Sequence, residues 1–351
     1  MDVVSYKCPS CSAPLSFDIA SQAWDCKFCE SRFTLDELKE NGSGKEAHES
    51  GPDTVEDADY GEAAKAYECP SCGGRIITDE NTAATFCPYC HNPAVISSRL
   101  KGERRPQFIV PFKVGREEAA AALKKLCRFR PLLPKKFSSS VRRGEFGGLY
   151  VPFWLISCKL DASLTGEGRK VTTWRDSRNI YTKTDTYAIY RRAGASVDRL
   201  PADAATRIDN DLMEWVEPFD YGGMTGFSME YLSGHFAEGF DETAEISSER
   251  ARVRARDEMK RIMQSIASEG YDSISVKTLD IALEDTGCDY AMLPVWMLSH
   301  DYKGKTYTFA MNGQTGKIAG KLPISWLRAG VMFASAWAVS FAIMMLGRIL
   351  L

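Results

Sequence analysis

The clearest hydrophobic period in the chain is helical. Across residues 247–268, Ala251, Val253, Ala255, Met259, Ile262, Met263 and Ile266 recur at mostly three- and four-residue spacing, and Gly270 closes the stretch. That pattern predicts an amphipathic helix. A second helix is predicted over 117–129, with Ala120, Leu123, Leu126 and Cys127 on one face. Elsewhere between 147 and 321 the period is two. Residues 150–165, 171–175, 181–191, 271–284, 290–302 and 306–311 read as antiparallel strands, mostly with one face buried. A helical turn is expected over 209–215, and 228–240 is rich in aromatics without a clear period. Asn312-Gly313-Gln314-Thr315-Gly316 predicts a hairpin turn into a last strand over 317–320. Tyr150-Val151-Pro152-Phe153-Trp154 is echoed by Leu293-Pro294-Val295-Trp296, and Phe108-Ile109-Val110-Pro111-Phe112 is a third variant. Each reads as a strand with a proline near its start and an aromatic packing inward, which is core architecture and not a site.

A different pattern closes the chain. Residues 329–347 are apolar or small without interruption, nineteen in all. At ~1.5 Å per residue they span roughly 28 Å, close to the ~30 Å hydrocarbon core of a bilayer. A single C-terminal transmembrane helix is therefore expected. Lys317, Lys321 and Arg328 precede the run and Arg348 alone follows it, which favours a single-pass cell-membrane protein with its N-terminal body in the cytoplasm. Gly330, Ala334, Ala338 and Ala342 recur every four residues, a ridge that suits self-association or is filler on a lone anchor.

Cysteine changes the picture of the N-terminal third. Eight of the eleven cysteines form two identically spaced quartets: Cys8, Cys11, Cys26, Cys29 and Cys69, Cys72, Cys87, Cys90. Residues 8–38 align on 69–99 without a gap. Paired Cys-x-x-Cys turns let four thiolates face one tetrahedral ion, the plan of a zinc ribbon, and a module this small needs the metal to fold. Two structural zinc ions are expected. Disulfides would need an oxidising compartment, whereas zinc thiolates fit a reducing one. Cys87-Pro88-Tyr89-Cys90-His91 also spells a c-type haem attachment motif. The aligned first copy has no histidine there, and each pair already has a partner pair, so haem is rejected. His48 lies in a polar loop. Cys127, Cys158 and Cys288 are isolated and read as buried small side chains.

The whole is thus expected to be a multidomain α+β protein. Two tandem small-β zinc ribbons occupy 1–40 and 67–99, joined by a flexible acidic linker over 41–66. A β-rich α+β body with antiparallel sheets fills 100–325, and the transmembrane anchor 326–351. A content of 44% hydrophobic and 26% charged residues is ordinary for a globular protein, and the net charge of −3 hides an uneven distribution. Residues 99–143 are strongly basic, including Arg116, Lys124, Lys125, Arg128, Arg130, Lys135 and Lys136 among aromatics. Nucleic acid, anionic lipid, or a solvated face balanced by the acidic linker all fit that composition.

Catalytic motifs are not found. Gly313-Gln314-Thr315-Gly316-Lys317 lacks the spacing of a phosphate loop and joins two strands. His235 and His300 stand apart, and Glu217, Asp220 and Glu230 read as turn residues.

The paired Cys-Pro-Ser-Cys modules, the stretch Thr78–Cys90, Tyr150-Val-Pro-Phe-Trp, Glu217-Pro-Phe-Asp-Tyr and Tyr307-Thr-Phe-Ala-Met-Asn-Gly-Gln-Thr-Gly resemble a group of bacterial membrane-anchored double zinc-ribbon proteins. Members are described as containing a TFIIB-type zinc ribbon or as primosomal helicase-like. The likeness covers nearly the whole chain, but its helicase part rests on the cysteines alone, since a phosphate loop and an acidic magnesium motif are missing. The group implies architecture and no activity. His91 stands where the group has glycine. The functional expectation is a non-enzymatic, membrane-tethered adaptor whose ribbons bind a protein or nucleic-acid partner. The alternative is a nucleic-acid-binding accessory factor of replication or transcription. An enzyme with a site in the β-rich body is a third reading.

Overall fold

The structure, a computed structural model, describes residues 3–19, 21–40, 65–69, 75–78, 81–88, 92–100, 104–128, 130–141 and 146–350. The linker expected over 41–66 lies almost wholly outside them, as do Cys72, Cys90, His48 and His91.

Three long antiparallel strands form the body. They are β10 (Gly147–Arg175), β11 (Ile180–Asp203) and β14 (Ser273–Tyr302), with β10 in the middle. Sequence periodicity broke each into shorter pieces, notably at the glycines near 166. In the structure Gly166 sits at a register shift, and a Cβ there would lie 2.5 Å from the Ser275 carbonyl oxygen. The glycine permits the close approach, so the strand continues through it. The two proline-containing segments prove to be partners across the β10–β14 ladder, with Tyr150 opposite Pro294.

The remaining strands are short. In chain order they are β1 (Val3–Val4), β2 (Leu15–Asp18), β3 (Ala23–Cys26), β4 (Arg32–Phe33), β5 (Lys65–Glu68), β6 (Arg75–Thr78), β7 (Thr82–Phe86), β8 (Pro93–Ile96), β9 (Phe108–Ile109), β12 (Thr225–Gly226), β13 (Phe236–Glu238), β15 (Lys305–Asn312) and β16 (Ile318–Gly320). The main sheet runs β1-β8-β7-β13-β10-β14-β15-β16, with β11 on β10, β9 on β14 and β12 on β9. Strands β7 and β8, which lie on either side of Cys87 in the chain, are thus continuous with the body. Strands β2, β3 and β4 make a separate sheet.

The helices are α1 (Leu35–Glu40), α2 (Arg116–Arg128), α3 (Lys135–Val141), α4 (Asn210–Val216), α5 (Ala244–Ser268) and α6 (Trp326–Leu350). Helix α5 covers the long strands. Its buried ridge is Ala251, Ala255, Met259, Met263 and Ala267; the last four pack with Leu160, Ala162 and Leu164, and Ala251 with Ile156 and Ala202. Val253, Ile262 and Ile266, expected in that stripe, are exposed. The sheet takes one i, i+4 ridge, and the three alanines let the helix approach closely. Helix α4 begins at Asp209, whose carboxylate accepts from the Asp211 backbone N–H at 3.0 Å.

The C-terminal run forms α6, but among the described residues no helix is long and apolar enough to cross a membrane. This overturns the expected transmembrane anchor over 329–347, and with it the single-pass cell-membrane placement with a cytoplasmic N-terminal body. Much of the run is Ala, Gly and Ser, which carry little apolar area at ~25 cal/mol per Å². The first turn of α6 is fastened to the loop before α3: the Arg328 guanidinium donates to the Pro131 and Leu133 carbonyls at 3.2 and 2.5 Å. Ala334 and Ala338 are exposed on α6, and the side chain of Ala342 lies outside the described residues.

Candidate metal centre

Strands β2, β3 and β4 hold Cys8, Cys11, Cys26 and Cys29 in one place. Each cysteine pair spans a tight knuckle whose backbone repeats the same two hydrogen bonds. In the first, Ser12 N–H donates to the Cys8 carbonyl at 2.8 Å and Cys8 N–H to the Ala13 carbonyl at 2.7 Å. In the second, Glu30 N–H donates to the Cys26 carbonyl and Cys26 N–H to the Ser31 carbonyl, both at 2.9 Å. The residue after each knuckle, Ser12 or Glu30, takes a left-handed conformation, with φ of 61° and 59°. That turn reverses the chain and leaves both sulfurs of a pair on its inner side.

The four sulfurs lie within 4.8 Å of one another and can hold a metal ion. Cys8 and Cys29 Sγ are 3.5 Å apart, and Cys11 and Cys26 Sγ 3.4 Å. These separations are far above a disulfide bond of ~2.05 Å. They approach the ~3.8 Å edge of a tetrahedron with metal–sulfur bonds of ~2.3 Å. Cys8 and Cys26 are buried, and Cys11 and Cys29 are exposed. The thiols do not share one acidity. Hydrogen bonding to the Ser31 hydroxyl and backbone pulls Cys29 down to about 6. At Cys11 the Ala13 backbone bond works downward, but hydrogen bonding to Cys29 and desolvation outweigh it and push the thiol up to about 12. Four crowded sulfurs do not all ionise until a cation compensates the charge, so metal loading releases protons.

The second quartet is described in part. Cys69 and Cys87 are buried with Tyr67, Ile76, Ala94 and Ile96. Cys87 N–H donates to the Asn92 carbonyl at 2.9 Å, the counterpart of the Cys26–Ser31 bond at the aligned position.

Periodicity does not reveal how firmly the first ribbon is joined to the body. Phe17, Trp24 and Tyr231 pack ring on ring, with centroids 5.0 to 5.3 Å apart. The Ser233 hydroxyl donates to the Leu15 carbonyl at 2.7 Å, and Phe17 N–H donates to the Ser233 carbonyl at 3.2 Å. The Gln22 amide donates to the Phe112 carbonyl at 2.7 Å. One buried cluster runs from Tyr6, Leu15 and Trp24 into Phe112, Tyr150 and Trp296. The only hint in the sequence was the aromatic stretch 228–240, whose partners lie more than two hundred positions away.

The other candidate residues are structural. Glu217 takes two bonds from the Arg254 guanidinium, at 3.0 and 2.6 Å. Asp220 accepts from Gly222 N–H at 2.9 Å, and Glu230 pairs with Ser228. These carboxylates do not converge. His300 meets the Ser140 hydroxyl at 2.8 Å. Residues 313–317 form the turn between β15 and β16, pinned by the buried Asn312 side chain, which accepts from Gln314 and Thr315 N–H at 2.9 and 3.0 Å. Cys127 and Cys158 are buried as expected, but Cys288 is exposed on β14. Within the basic region, Arg116, Lys124, Lys125, Arg128, Lys135 and Lys136 are exposed on α2 and α3.

Fold and site together define a β-rich protein with a four-cysteine cluster competent to hold a metal ion. No family model matches the chain, and no solved structure matches it. The chain is 30% identical over 333 residues to "Uncharacterized protein YdjG" of Bacillus subtilis (strain 168), a match covering 95% of this chain and 94% of that one. It belongs to the same family as that protein.

Proposed function

We propose that the protein is a non-enzymatic adaptor held in shape by two structural zinc ions. One ion sits on Cys8, Cys11, Cys26 and Cys29, the other on Cys69, Cys72, Cys87 and Cys90. The observation that carries this reading is the closed first quartet. Four sulfurs fill a tetrahedral shell and leave no open position for a substrate, which is the signature of a structural site. Thiolates favour zinc over harder cations. The ribbon then offers an exposed second knuckle to a protein or nucleic-acid partner, with Phe28 75% exposed at its tip. A photo-crosslinking residue in place of Phe28 in the full-length chain tests the reading in cells. Discrete crosslinked species that disappear in Cys26→Ser are expected. Zinc-loaded protein with no crosslinked species would refute the adaptor role.

A second reading, a nucleic-acid-binding accessory factor, is favoured by the exposed cations on α2 and α3. It predicts binding of single-stranded DNA or RNA that weakens by orders of magnitude between roughly 50 and 200 mM salt. No binding at the lower salt eliminates it.

A further inference from the structure

The β10–β11 pair outruns the rest of the sheet. Strand β14 follows β10 only as far as the Arg169–Ser273 pair, and beyond it residues 170–175 pair, among the described residues, with 180–185 alone. At ~3.3 Å per residue this leaves a two-stranded arm standing about 20 Å clear of the third strand. Every residue from 169 to 184 is exposed. Side chains alternate along a strand, so Trp174, Thr172, Lys170 and Gly168 share one face with their partners Tyr181, Lys183, Asp185 and Tyr187. Trp174 and Tyr181 stack at the outer end of that face, with centroids 5.6 Å apart and planes 13° from parallel. They are 49% and 41% exposed and fill no core. At the inner end Tyr187 meets Tyr271 at 5.8 Å. The Tyr271 ring lies over Gly168, where a Cβ would come within 2.6 Å of it. Lys170 and Lys183 lie between the two aromatic pairs. Arg169, Lys170, Arg175, Arg178 and Lys183 outnumber the arm's carboxylates, Asp176 and Asp185. Both carboxylates are already engaged. Asp176 accepts from Arg178 N–H, Asn179 N–H and the Tyr181 hydroxyl at 2.8, 2.7 and 3.0 Å, and these bonds hold it below the usual carboxylate range. Asp185 lies 3.0 Å from Lys183, an exposed pair that contributes little. Lys170 and Arg178 have no carboxylate partner among the described residues.

We propose that this face of the arm binds single-stranded nucleic acid, with bases stacked on Trp174, Tyr181 and Tyr187 and phosphates against Lys170, Lys183 and Arg178. Exposed rings interleaved with cations match what an unpaired strand presents: every base offers a stacking face, and every phosphate a negative charge. A lipid bilayer fits less well. The outermost residues, Asp176-Ser177-Arg178-Asn179, are all polar, so the arm has no apolar tip to enter hydrocarbon. The site lies on strands, away from helices α2 and α3, and it deepens the nucleic-acid reading, on which it rests.

Fluorescence anisotropy of a labelled twelve-residue oligothymidylate, titrated with the full-length, metal-loaded protein, tests the site. Trp174→Ala is expected to weaken binding about tenfold, and Trp174→Phe, which keeps a stacking ring, to retain most of it. Lys170→Gln combined with Arg178→Gln leaves the Trp174–Tyr181 stack in place and should lower the slope of log affinity against log salt by about 1.4. Near-ultraviolet circular dichroism of that double variant, unchanged from the native chain, shows the arm intact. Binding that survives all three variants but is lost in Lys124→Gln with Lys125→Gln on α2 overturns the arm site and leaves the nucleic-acid reading standing. No binding at roughly 50 mM salt overturns both. Capture by phosphatidylserine vesicles through the arm, with none by the oligonucleotide, overturns the proposal in favour of lipid.

Discussion

The indole N–H of Trp24 donates to the backbone carbonyl of Glu230 at 2.9 Å, across 206 positions of chain. Trp24 lies on β3, two residues before the metal-ligand candidate Cys26, and is 1% exposed. The cysteine ribbon is therefore joined to the body through the strand that carries its sulfurs. Trp24→Phe keeps most of the ring packing and removes the donor, and should cost about 1–2 kcal/mol. Trp24→Ala should cost about 3–5 kcal/mol. Urea unfolding of the full-length protein reads both values. Equal, negligible losses would show the ribbon to be energetically separate.

The same continuity sets the response to metal removal. A tethered ribbon would melt alone and leave the body untouched. Here Leu15, Phe17 and Trp24 share a buried cluster with Phe112 and Tyr150. Chelation, or Cys26→Ser, should therefore lower the melting temperature of the body as well as unfold the ribbon. Calorimetry checks this: the main transition is expected to shift downward, not merely to lose a small separate peak.

Much of this was legible in the chain before the fold was known. The cysteine spacing and its exact repetition, the α5 helix and the Asn312 turn all rest on local chemistry, which a sequence displays directly. Strand lengths were less legible because Gly166 looks like punctuation and acts as a contact point. Ribbon docking was barely legible, since the aromatic stretch 228–240 does not name its partner and the Trp24–Glu230 and Ser233–Leu15 bonds join segments far apart in the chain. The C-terminal run misled because continuity without charge looked like membrane length, although many of its residues are small.

Gly234 separates Ser233, which binds the first ribbon, from His235 in the core, and it has a φ of +94°. A Cβ there would also come within 3.3 Å of Ser16 Cβ. Gly234→Ala should cost about 1–3 kcal/mol, since the left-handed backbone strains any other residue. Denaturant midpoints against those of Gly115→Ala test this, because a Cβ at Gly115 meets nothing within 4 Å and that φ is not left-handed.

Two buried groups give opposite pH dependences. Desolvation pushes Asp203 up to about 6, against the opposing pull of Arg250. A carboxyl raised in the fold contributes stability that is present at low pH and lost as pH rises through about 6. His235 is depressed to about 4, so its contribution is present above the ordinary ~6.5 and lost as pH falls toward that value. The two slopes largely cancel in the native chain. Asp203→Asn removes one of them. Its stability relative to the native chain should rise by up to about 3 kcal/mol between pH 4 and pH 7. A difference that stays constant with pH would contradict the assignment.

The most direct measurement is metal content combined with X-ray absorption at the zinc edge on purified full-length protein. Two zinc ions per chain are expected, each with four sulfur neighbours at ~2.3 Å. Cys8→Ser with Cys26→Ser should reduce the content to one. A chain that carries no zinc, or whose zinc survives that double substitution, would contradict the central claim.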